Sequence, residues 1–326
     1  MNRRRQLLLA LGGGMIGASL RAVAQQPASM PLVAILGIGD PQRGPALRES
    51  LQKLGYTEGR NIRVEERAAG ARYARLGEFA NELVYLKPAV IVALSSTATE
   101  AARQATSTIP IVMIAGLDPV KAKFAASLSR PGGNVTGVTT AIQEITPKQF
   151  ELARESFPGL SRIGIIWTPT SRLSTTQFSE VQEAAKSFKL ELLPIAVNSP
   201  SDFDGAFAKL AKSRVNVFIL LGGNMFIQNQ KQFLDLAAKH RMAGIFSSAG
   251  FAEAGGLIGY GVASLSTEPA RVAAVYVDKI LKGAKPAELP IEQLSKVELT
   301  INLKTARALG IQLPQSILVR ADRVIE

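Results

Sequence analysis

The chain alternates continuously apolar segments with segments in which apolar residues recur every three or four positions. Leu32–Leu36 is an apolar run that ends in Gly37–Asp40. The following segment places Leu47, Leu51 and Leu54 on one helical face. Continuous apolar runs are typical of strands buried on both faces of a parallel sheet, whereas the wider spacing predicts helices packed on that sheet.

The same alternation continues through the first half of the chain and restarts in the second half. Further strands are predicted at 61–65, 89–94 and 111–115, and then at 162–167, 190–197, 215–221 and 245–247. We take 245–247 as the last strand of the series, and after Asn224 we expect one helix that runs to His240. Strand–helix alternation with short connections predicts an α/β fold made of two doubly wound parallel-sheet lobes.

The composition excludes several classes of enzyme. The 326 residues are 47% hydrophobic and include one His and no Cys. Without Cys there is no thiol nucleophile, disulfide or Cys-ligated metal. A single histidine, His240, leaves no multi-His metal site and argues against His-based acid–base chemistry. We expect no metal, no cofactor and no catalytic residue.

The net charge of +12 partly reflects the N-terminus. The first 24 residues hold four arginines and no acid, and the rest of the chain has 34 basic and 26 acidic residues, a net charge of +8. These charges are spread along the chain, without the basic cluster that nucleic-acid binding requires. We therefore expect no nucleic-acid partner.

The N-terminus has the features of an export signal. Arg3–Arg5 is a positive segment, Leu7–Leu20 is a short apolar stretch, and Ala22–Ala24 has the small–x–small pattern that signal peptidase cleaves. The Arg-Arg-Gln-Leu-Leu sequence resembles the twin-arginine type, and an ordinary secretory signal is the alternative. We predict a signal peptide over 1–24, cleaved after Ala24, and a periplasmic protein.

Small polar residues follow the predicted strands. Ligands of open parallel sheets bind beyond the carboxyl ends of the strands, and Gly, Ser, Thr and Asn suit hydrogen bonds to a small polar ligand. The candidate ligand-binding residues at these ends are Gly39, Asp40, Ser95, Ser96, Thr97, Asp118, Trp167, Thr168, Thr170, Ser171, Asn224 and Ser248.

Three of these candidates carry specific chemistry. Thr97 and Glu100 fit a capping box with Thr97 as N-cap, which places Ser95 and Ser96 before a helix N-terminus that either attracts an anion or is only capped. Asp118 precedes a proline, so it is either the N-cap of a helix or the partner of a ligand ammonium. Trp167, the only Trp, either stacks on a ligand or belongs to the core.

The familiar enzyme motifs are missing or incomplete. Gly37–Gly39 lacks the third glycine of a dinucleotide fingerprint, and neither a phosphate-binding P-loop nor a G-x-S-x-G elbow is present. An extracytoplasmic enzyme is therefore the weaker reading, and turnover assays would distinguish it.

Several ordered phrases resemble the tryptophan-binding-like family of ABC transporter substrate-binding proteins. The Pro-Gly-Gly-Asn-Val-Thr-Gly-Val sequence at 131–138 is quite specific. The other matching phrases are Leu54–Asn61, Thr108–Val112, Asp118–Val120, Ala254–Leu257, Tyr260–Gly261, Ile280–Pro286 and Ile301–Ala306.

The resemblance implies a type I periplasmic-binding fold, with two lobes that are joined by three crossovers and close on a ligand. It implies an N-terminal lobe of 25–142 plus about 249–290 and a C-terminal lobe of about 143–248 plus 291–326. It implies hinges near 139–146, 249–251 and 289–291. The implied partners are a small-molecule ligand and an ABC permease with its cytoplasmic ATPase, so contact with the membrane complex is peripheral.

The resemblance also implies a small polar or carboxylate-bearing ligand, such as an amino acid or an aromatic acid. Many relatives have an Asp-Asn pair where this chain has Gly223 and Asn224, which removes one candidate partner for a ligand ammonium. A periplasmic sensor on the same fold is the alternative, and neighbouring genes for a permease and an ATPase would distinguish the two roles.

Overall fold

The computed structural model describes residues 30–39, 43–70, 72–140, 145–262 and 267–326. The segment from Pro31 to Glu326 forms one compact unit. The predicted signal peptide over 1–24 and the candidate ligand residue Asp40 lie outside the described residues.

The described strands form two sheets, as the alternating pattern predicts. The first sheet has the spatial order β11-β5-β4-β3-β1-β2, and all its pairs are parallel. Its strands are β1 (Leu32–Gly37), β2 (Arg63–Ala68), β3 (Val90–Ala93), β4 (Ile111–Ala115), β5 (Val135–Thr139) and β11 (Glu292–Gln293).

The second sheet has the order β13-β12-β10-β9-β8-β6-β7, in which only the β10–β12 pair is antiparallel. Its strands are β6 (Arg162–Trp167), β7 (Glu191–Ala196), β8 (Val217–Leu220), β9 (Ala243–Ser248), β10 (Ile258–Val262), β12 (Val297–Asn302) and β13 (Arg323–Ile325). The prediction that 245–247 is the last strand was wrong, because β10, β12 and β13 extend the sheet beyond β9.

Helices cover both sheets. The first lobe, built on the first sheet, has α1 (Arg43–Lys53), α2 (Leu76–Tyr85), α3 (Ser96–Ala105) and α10 (Thr267–Leu281). The second lobe has α4 (Ile145–Ser156), α5 (Arg172–Phe188), α6 (Phe203–Lys212), α7 (Asn224–Gln228), α8 (Gln230–Lys239), α9 (Ala249–Glu253), α11 (Leu303–Leu309) and α12 (Gln315–Arg320). The single helix predicted up to His240 is two helices, α7 and α8, that meet at Asn229.

Each sheet has an apolar core on both of its faces. Along β1, Val33 and Ile35 pack into one core, while Ala34 and Leu36 pack into the core on the opposite face. This division follows from the alternation of side chains along a strand. Both faces are covered, so the strand is continuously apolar, and this pattern made it recognisable in the sequence.

The chain passes between the two sheets three times. The passages lie between β5 and α4, between β10 and α10, and between β11 and β12. The expected assignment of 249–290 to the first lobe differs from the structure, because α9 and β10 pack with the second sheet and only the chain from α10 to β11 lies in the first lobe.

The Pro-Gly-Gly-Asn-Val-Thr-Gly-Val segment holds strand β5 in place. The Asn134 side chain donates hydrogen bonds to the carbonyl oxygens of Thr106 and Ile109, at 3.1 and 2.9 Å. Gly137 has φ +124°, and a Cβ there would lie 2.4 Å from the backbone oxygen of Met113. The segment therefore fixes the close approach of β4 and β5.

Candidate ligand-binding site

The candidate site lies between the two sheets, at the edges where the carboxyl ends of their parallel strands face each other. In the first sheet β1 is flanked by β3 and β2, and in the second sheet β6 is flanked by β8 and β7. The chain order therefore reverses beside β1 and beside β6, which opens a crevice between the loops that follow these strands. Residues from both crevices line one cavity.

This cavity has a volume of about 100 Å³. Its polar lining from the first lobe comprises Arg43, Ser95, Ser96, Thr97 and Thr140, and that from the second lobe comprises Ser171, Gln177, Asn224, Ser247 and Ser248. Its aromatic lining comprises Tyr73, Phe226, Phe246 and Phe251. Of the eleven predicted ligand residues that the structure describes, six line the cavity, namely Ser95, Ser96, Thr97, Ser171, Asn224 and Ser248.

The helix start at the first rim differs from the prediction. Ser95, and not Thr97, is the N-cap of α3, and its hydroxyl oxygen accepts a hydrogen bond of 3.1 Å from the Ala98 N–H. The predicted capping box between Thr97 and Glu100 was wrong, because the helix begins two residues earlier than that box requires. Both serines and Thr97 still line the cavity.

Ser96 joins two loops of the first rim. Its side chain is buried, and its hydroxyl oxygen accepts hydrogen bonds from the N–H groups of Gly116 and Leu117, at 3.1 and 3.2 Å. A hydroxyl oxygen has two lone pairs, and both are engaged here. The Ser96 side chain can therefore form a further hydrogen bond only by donating its hydroxyl proton.

Arg43 is a lining residue that the sequence analysis missed. It begins α1, is 8% exposed, and its guanidinium donates a hydrogen bond of 2.8 Å to the Leu94 carbonyl oxygen. An arginine soon after the first strand was a usable signal, since the residues directly after this strand were already assigned to the ligand rim. Arg43 places a positive charge at the cavity wall.

The second rim offers further hydrogen-bond donors. The Nδ2 atom of Asn224 is buried and has no hydrogen-bond partner. The hydroxyl oxygens of Ser171 and Ser248 cap α5 and α9 and accept from the N–H groups of Ser174 and Gly250. A ligand that accepts hydrogen bonds would satisfy the amide of Asn224 and the serine protons.

Asp118 lies beside the cavity and does not line it. One of its carboxylate oxygens accepts hydrogen bonds from the N–H groups of Val120 and Lys121, at 2.9 and 3.1 Å. The segment after Asp118 is a turn. Asp118 therefore caps a turn and not the predicted helix, although its carboxylate accepts backbone N–H groups as an N-cap residue does. Asp118 lines a second cavity of about 150 Å³.

The loop after β6 is mostly structural. Trp167 stacks on Phe178 with ring centroids 4.3 Å apart, at the edge of a core of the second lobe. Thr168 is fully buried, and its hydroxyl lies 2.9 Å from that of Thr170. These three residues do not line the cavity, so the structure favours the core alternative for Trp167.

Several contacts join the two lobes around the cavity. The Gln228 amide of the second lobe donates hydrogen bonds to the carbonyl oxygens of Ile38 and Gly39, at 2.5 and 2.7 Å. Gly39 thus contacts the opposite lobe through its backbone. Arg172 of the second lobe forms a 2.7 Å ion pair with Glu100 of the first lobe. These contacts hold the lobes together around the cavity.

The second cavity adjoins the first and carries the acidic groups. Leu173 and Gln177 line both cavities, while Asp118, Lys121, Arg172 and Glu180 line only the second. Burial raises the pKa of Glu180, the nearby Lys121 opposes that rise, and Asp118 adds to it. Among the described residues, Asp118 and Glu180 therefore line the second cavity and not the first, whereas Arg43 lines the first and not the second.

Metal-binding clusters and membrane-spanning helices are both absent from the described part of the chain. Within those residues, no cluster of three or more His, Asp or Glu side chains could hold a metal ion. None of the described helices has the length and apolar character needed to cross a membrane.

Comparison with known proteins identifies the family. Residues 42–325 match the model of the ABC transporter substrate binding protein family. The chain belongs to this family. As an ABC substrate-binding protein, it captures a solute for uptake, and the two-lobed fold with a cavity between the lobes suits that role.

Individual relatives agree with this assignment. The chain is 27% identical over 273 residues to a tyrosine-binding protein of Clostridioides difficile, covering 81% of this chain and 75% of the relative. Its fold matches a conserved domain protein of Vibrio cholerae with TM-score 0.82 and 26% identity, over 90% of this chain and 99% of that one. It also matches an L-Trp complex from Streptococcus pneumoniae with TM-score 0.80 and 24% identity, over 91% and 100% of the two chains.

Proposed function

We propose that this protein is the periplasmic receptor of an ABC uptake system and that it captures a small carboxylate-bearing ligand between its lobes. The observation that carries this proposal is the cavity of about 100 Å³ lined by hydrogen-bond donors from both lobes, with Arg43 on one side and Asn224 on the other. A carboxylate has two oxygens that accept several hydrogen bonds.

The proposed mechanism is closure on the ligand. A ligand that first binds the Ser95–Thr97 rim completes its contacts only when the Ser171, Asn224 and Ser248 rim meets it. Binding the closed arrangement more tightly than the open one shifts the equilibrium toward closure. The Gln228 and Arg172 contacts then form between the lobes.

The named relatives support an amino acid or aromatic acid as ligand. One is a tyrosine-binding protein and another is an L-Trp complex. An aromatic side chain would suit the phenyl rings of Phe226, Phe246 and Phe251 at the cavity wall. Aromatic pairs contribute about 0.5–1.5 kcal/mol beyond the area that they bury.

Delivery to a membrane permease with a cytoplasmic ATPase completes the proposed role. The family assignment supports a transporter as partner. The predicted signal peptide over 1–24 supports export to the periplasm, where such a receptor meets its permease. We propose binding without turnover, since the named relatives are binding proteins.

A thermal-shift screen tests this function. The purified protein is unfolded and refolded to remove bound solute, and is then screened against amino acids, aromatic acids, small carboxylates, purines and sugars. A ligand at about 100 times its Kd adds about 2.7 kcal/mol to the free energy of unfolding. We expect a clear rise in Tm for at least one carboxylate. A response confined to sugars or purines would contradict the proposed ligand class, and recovery of a chemically altered ligand would contradict binding without turnover.

A further inference from the structure

We infer that Tyr73 and Asn224, which belong to opposite lobes, hold the same carboxylate oxygen of an aromatic solute, and that Tyr73 thereby determines specificity for this group. The inference rests on the proposed function and deepens it, because it names the two side chains that the solute joins. It follows from two buried polar atoms at the cavity that have no hydrogen-bond partner within the described chain.

Tyr73 reaches the cavity from a core of the first lobe. It begins a short 3₁₀ helix, Tyr73–Arg75, that leads into α2, and it is 8% exposed. Its ring belongs to the apolar core that also contains Leu36 and Leu76, and the residue lines the cavity. A phenylalanine would fill this core position equally well, so packing alone does not account for the hydroxyl group.

The hydroxyl group of Tyr73 is unsatisfied. Its oxygen is buried and has no hydrogen-bond partner within the described chain. A buried tyrosine hydroxyl usually finds a partner, because leaving a buried polar group without one is costly. In the closed protein this partner therefore has to come from the contents of the cavity.

The phenol oxygen of Tyr73 lies beside the start of α7 in the second lobe. Burial raises the pKa of Tyr73, while the N–H groups of Met225 and Asn224 and the hydroxyl of Ser171 act in the opposite direction. Only close neighbours act on a pKa in this way, although none of them is placed to form a hydrogen bond with the phenol oxygen. These donors approach the lone pairs of that oxygen, which leaves its proton for a solute.

Asn224 supplies the second donor without a partner. It begins α7, so its side chain leaves the backbone where the phenol oxygen of Tyr73 lies. Its Nδ2 atom is buried and has no hydrogen-bond partner within the described chain. Both residues line the same cavity. One oxygen between them can accept from both, because a carboxylate oxygen has two lone pairs.

The chemistry of the two donors selects the group that they hold. Both present protons, so the solute atom between them has to accept hydrogen bonds. Hydrogen bonds to an ionised acceptor are roughly twice as strong as those between neutral groups, so a carboxylate oxygen suits this pair better than a hydroxyl oxygen. Phe226 follows Asn224 in the same helix and also lines the cavity, so the body of the solute adjoins a phenyl ring.

A shared oxygen couples binding to closure. While the lobes are apart, water satisfies the Tyr73 hydroxyl and the Asn224 amide separately. When the lobes close, one solute oxygen replaces the water at both groups. The solute therefore binds the closed arrangement more tightly than the open one, which is the condition for closure.

Calorimetry of the refolded, ligand-free protein tests the inference, with L-tyrosine, L-tryptophan and 3-phenylpropanoate as probes. Tyr73→Phe retains the ring and removes only the hydroxyl group. We expect it to raise the Kd of the tightest probe at least about tenfold, while the free energy of unfolding of the ligand-free protein stays the same or rises. An unchanged Kd would overturn the inference, because water and not the solute would then satisfy the hydroxyl group.

Tyr56→Phe is the matched control. Tyr56 belongs to the same lobe, donates a hydrogen bond of 2.9 Å from its hydroxyl to Asp278, and is not among the residues that line the cavity. The same substitution should here lower the free energy of unfolding and leave the Kd unchanged. If Tyr73→Phe showed this pattern too, the Tyr73 hydroxyl would be structural and the inference would be wrong.

A double-mutant cycle tests whether the two residues hold one atom. Asn224→Ala should also raise the Kd of the tightest probe at least about tenfold. Each donor keeps the shared oxygen in place for the other, so the double variant should raise the Kd by less than the product of the two single effects. Two effects that multiply independently would overturn the shared oxygen.

Alcohol analogues test whether this oxygen belongs to the carboxylate. L-Tyrosinol, L-tryptophanol and 3-phenylpropan-1-ol carry a hydroxymethyl group in place of the carboxylate of each probe. We expect the wild-type protein to prefer the carboxylate in each pair, and Tyr73→Phe to reduce this preference. A preference that Tyr73→Phe leaves unchanged would overturn the assignment of the carboxylate to this pair of residues.

The inference and the proposed function fail in different ways. Binding of other carboxylates in the thermal-shift screen, with no response to any of the three probes, would overturn the inference and leave the proposed function standing. Silence of the whole panel would count against both.

Discussion

The side-chain amide of Gln228 donates a hydrogen bond of 2.7 Å to the backbone carbonyl oxygen of Gly39, across the two lobes. Gln228 ends the short helix that begins at Asn224, and Gly39 follows the first strand. This helix thus carries Asn224, Phe226 and Ile227, which line the cavity, and Gln228, which contacts the opposite lobe. Under the proposed function, this helix would couple ligand contact to lobe closure.

Removing this amide should loosen the closed arrangement. In Gln228→Ala the carbonyl oxygens of Ile38 and Gly39 lose their shared donor, and a hydrogen bond contributes about 1 kcal/mol. We expect the Kd for the best carboxylate of the screen to rise about fivefold, as measured by calorimetry. The free energy of unfolding of each lobe should change little.

The exposed residue Gln232 on the next helix provides the control for this prediction. Gln232→Ala removes the same side chain away from the interface and should leave the Kd unchanged. Equal effects of the two substitutions would show that Gln228 does not contribute to closure.

The ion pair between Arg172 and Glu100 should make closure sensitive to acid. Burial alone would raise the pKa of Glu100, but the hydrogen bonds and charges of Arg103 and Arg172 outweigh it and lower the pKa below the ordinary 4.5. A lowered pKa in the folded state means that the pair stabilises the protein above about pH 4.5 and loses this contribution as the pH falls through the lower value. The pair is partly exposed, so we expect at most about 1 kcal/mol.

Denaturant unfolding between pH 6 and pH 3 measures this contribution. Glu100→Gln should remove this part of the pH dependence entirely, because it removes the titrating carboxyl. Arg172→Gln and Arg103→Gln should each remove a part of it, since both arginines lower the pKa of Glu100. A pH dependence that persists unchanged in Arg172→Gln would assign it to groups other than this pair.

Leu173 should limit the size of the ligand. A Cβ built at either Gly116 or Gly222 would lie 2.9 Å from its Cδ2 atom, so this side chain fills the gap between the two rims. Leu173→Ala should join the two cavities and raise the affinity for indole-3-propanoate relative to 3-phenylpropanoate. Leu192 is partly buried on strand β7, and the control Leu192→Ala should leave the ratio of the two affinities unchanged. An unchanged ratio in Leu173→Ala would show that the cavities do not merge.

Gly137 should be indispensable for the first sheet. Its φ of +124° disfavours any L side chain, and an added Cβ would meet backbone atoms of Met113 that cannot move independently of β4. We expect Gly137→Ala to lower the free energy of unfolding by at least ~2 kcal/mol.

Gly133→Ala tests whether this cost is specific to the position. A Cβ at Gly133, in the same segment, meets nothing within 4 Å, so this substitution should change stability by less than about 0.5 kcal/mol. Comparable losses in the two variants, measured by urea unfolding, would contradict the role assigned to Gly137.

The buried strands were the most predictable part of the fold. Strands β1, β4 and β6 are apolar over nearly their full length because both faces are covered, and this signal is local in the sequence. Strand β13 has exposed Arg323 and Val324 at a sheet edge, and β10 contains two glycines. Neither carries an apolar run, so pairing with the rest of the sheet decides their structure.

The candidate site was predictable in position more than in detail. The serines and the asparagine at strand ends were found, since strand ends define the rim in any open parallel sheet. Arg43 was missed because a charged side chain at a helix start normally predicts exposure, and only the tertiary fold buries it. Trp167 was ambiguous for a similar reason, since its stacking partner Phe178 comes from the next helix.

The radius of gyration of the ligand-free and ligand-saturated protein tests the central claim most directly. Small-angle X-ray scattering of the refolded protein, with and without the carboxylate that gives the largest thermal shift, measures it. Capture by closure predicts that the radius decreases on saturation, and that the decrease is smaller in Gln228→Ala. An unchanged radius at saturation would contradict the account that the two lobes close on a bound solute.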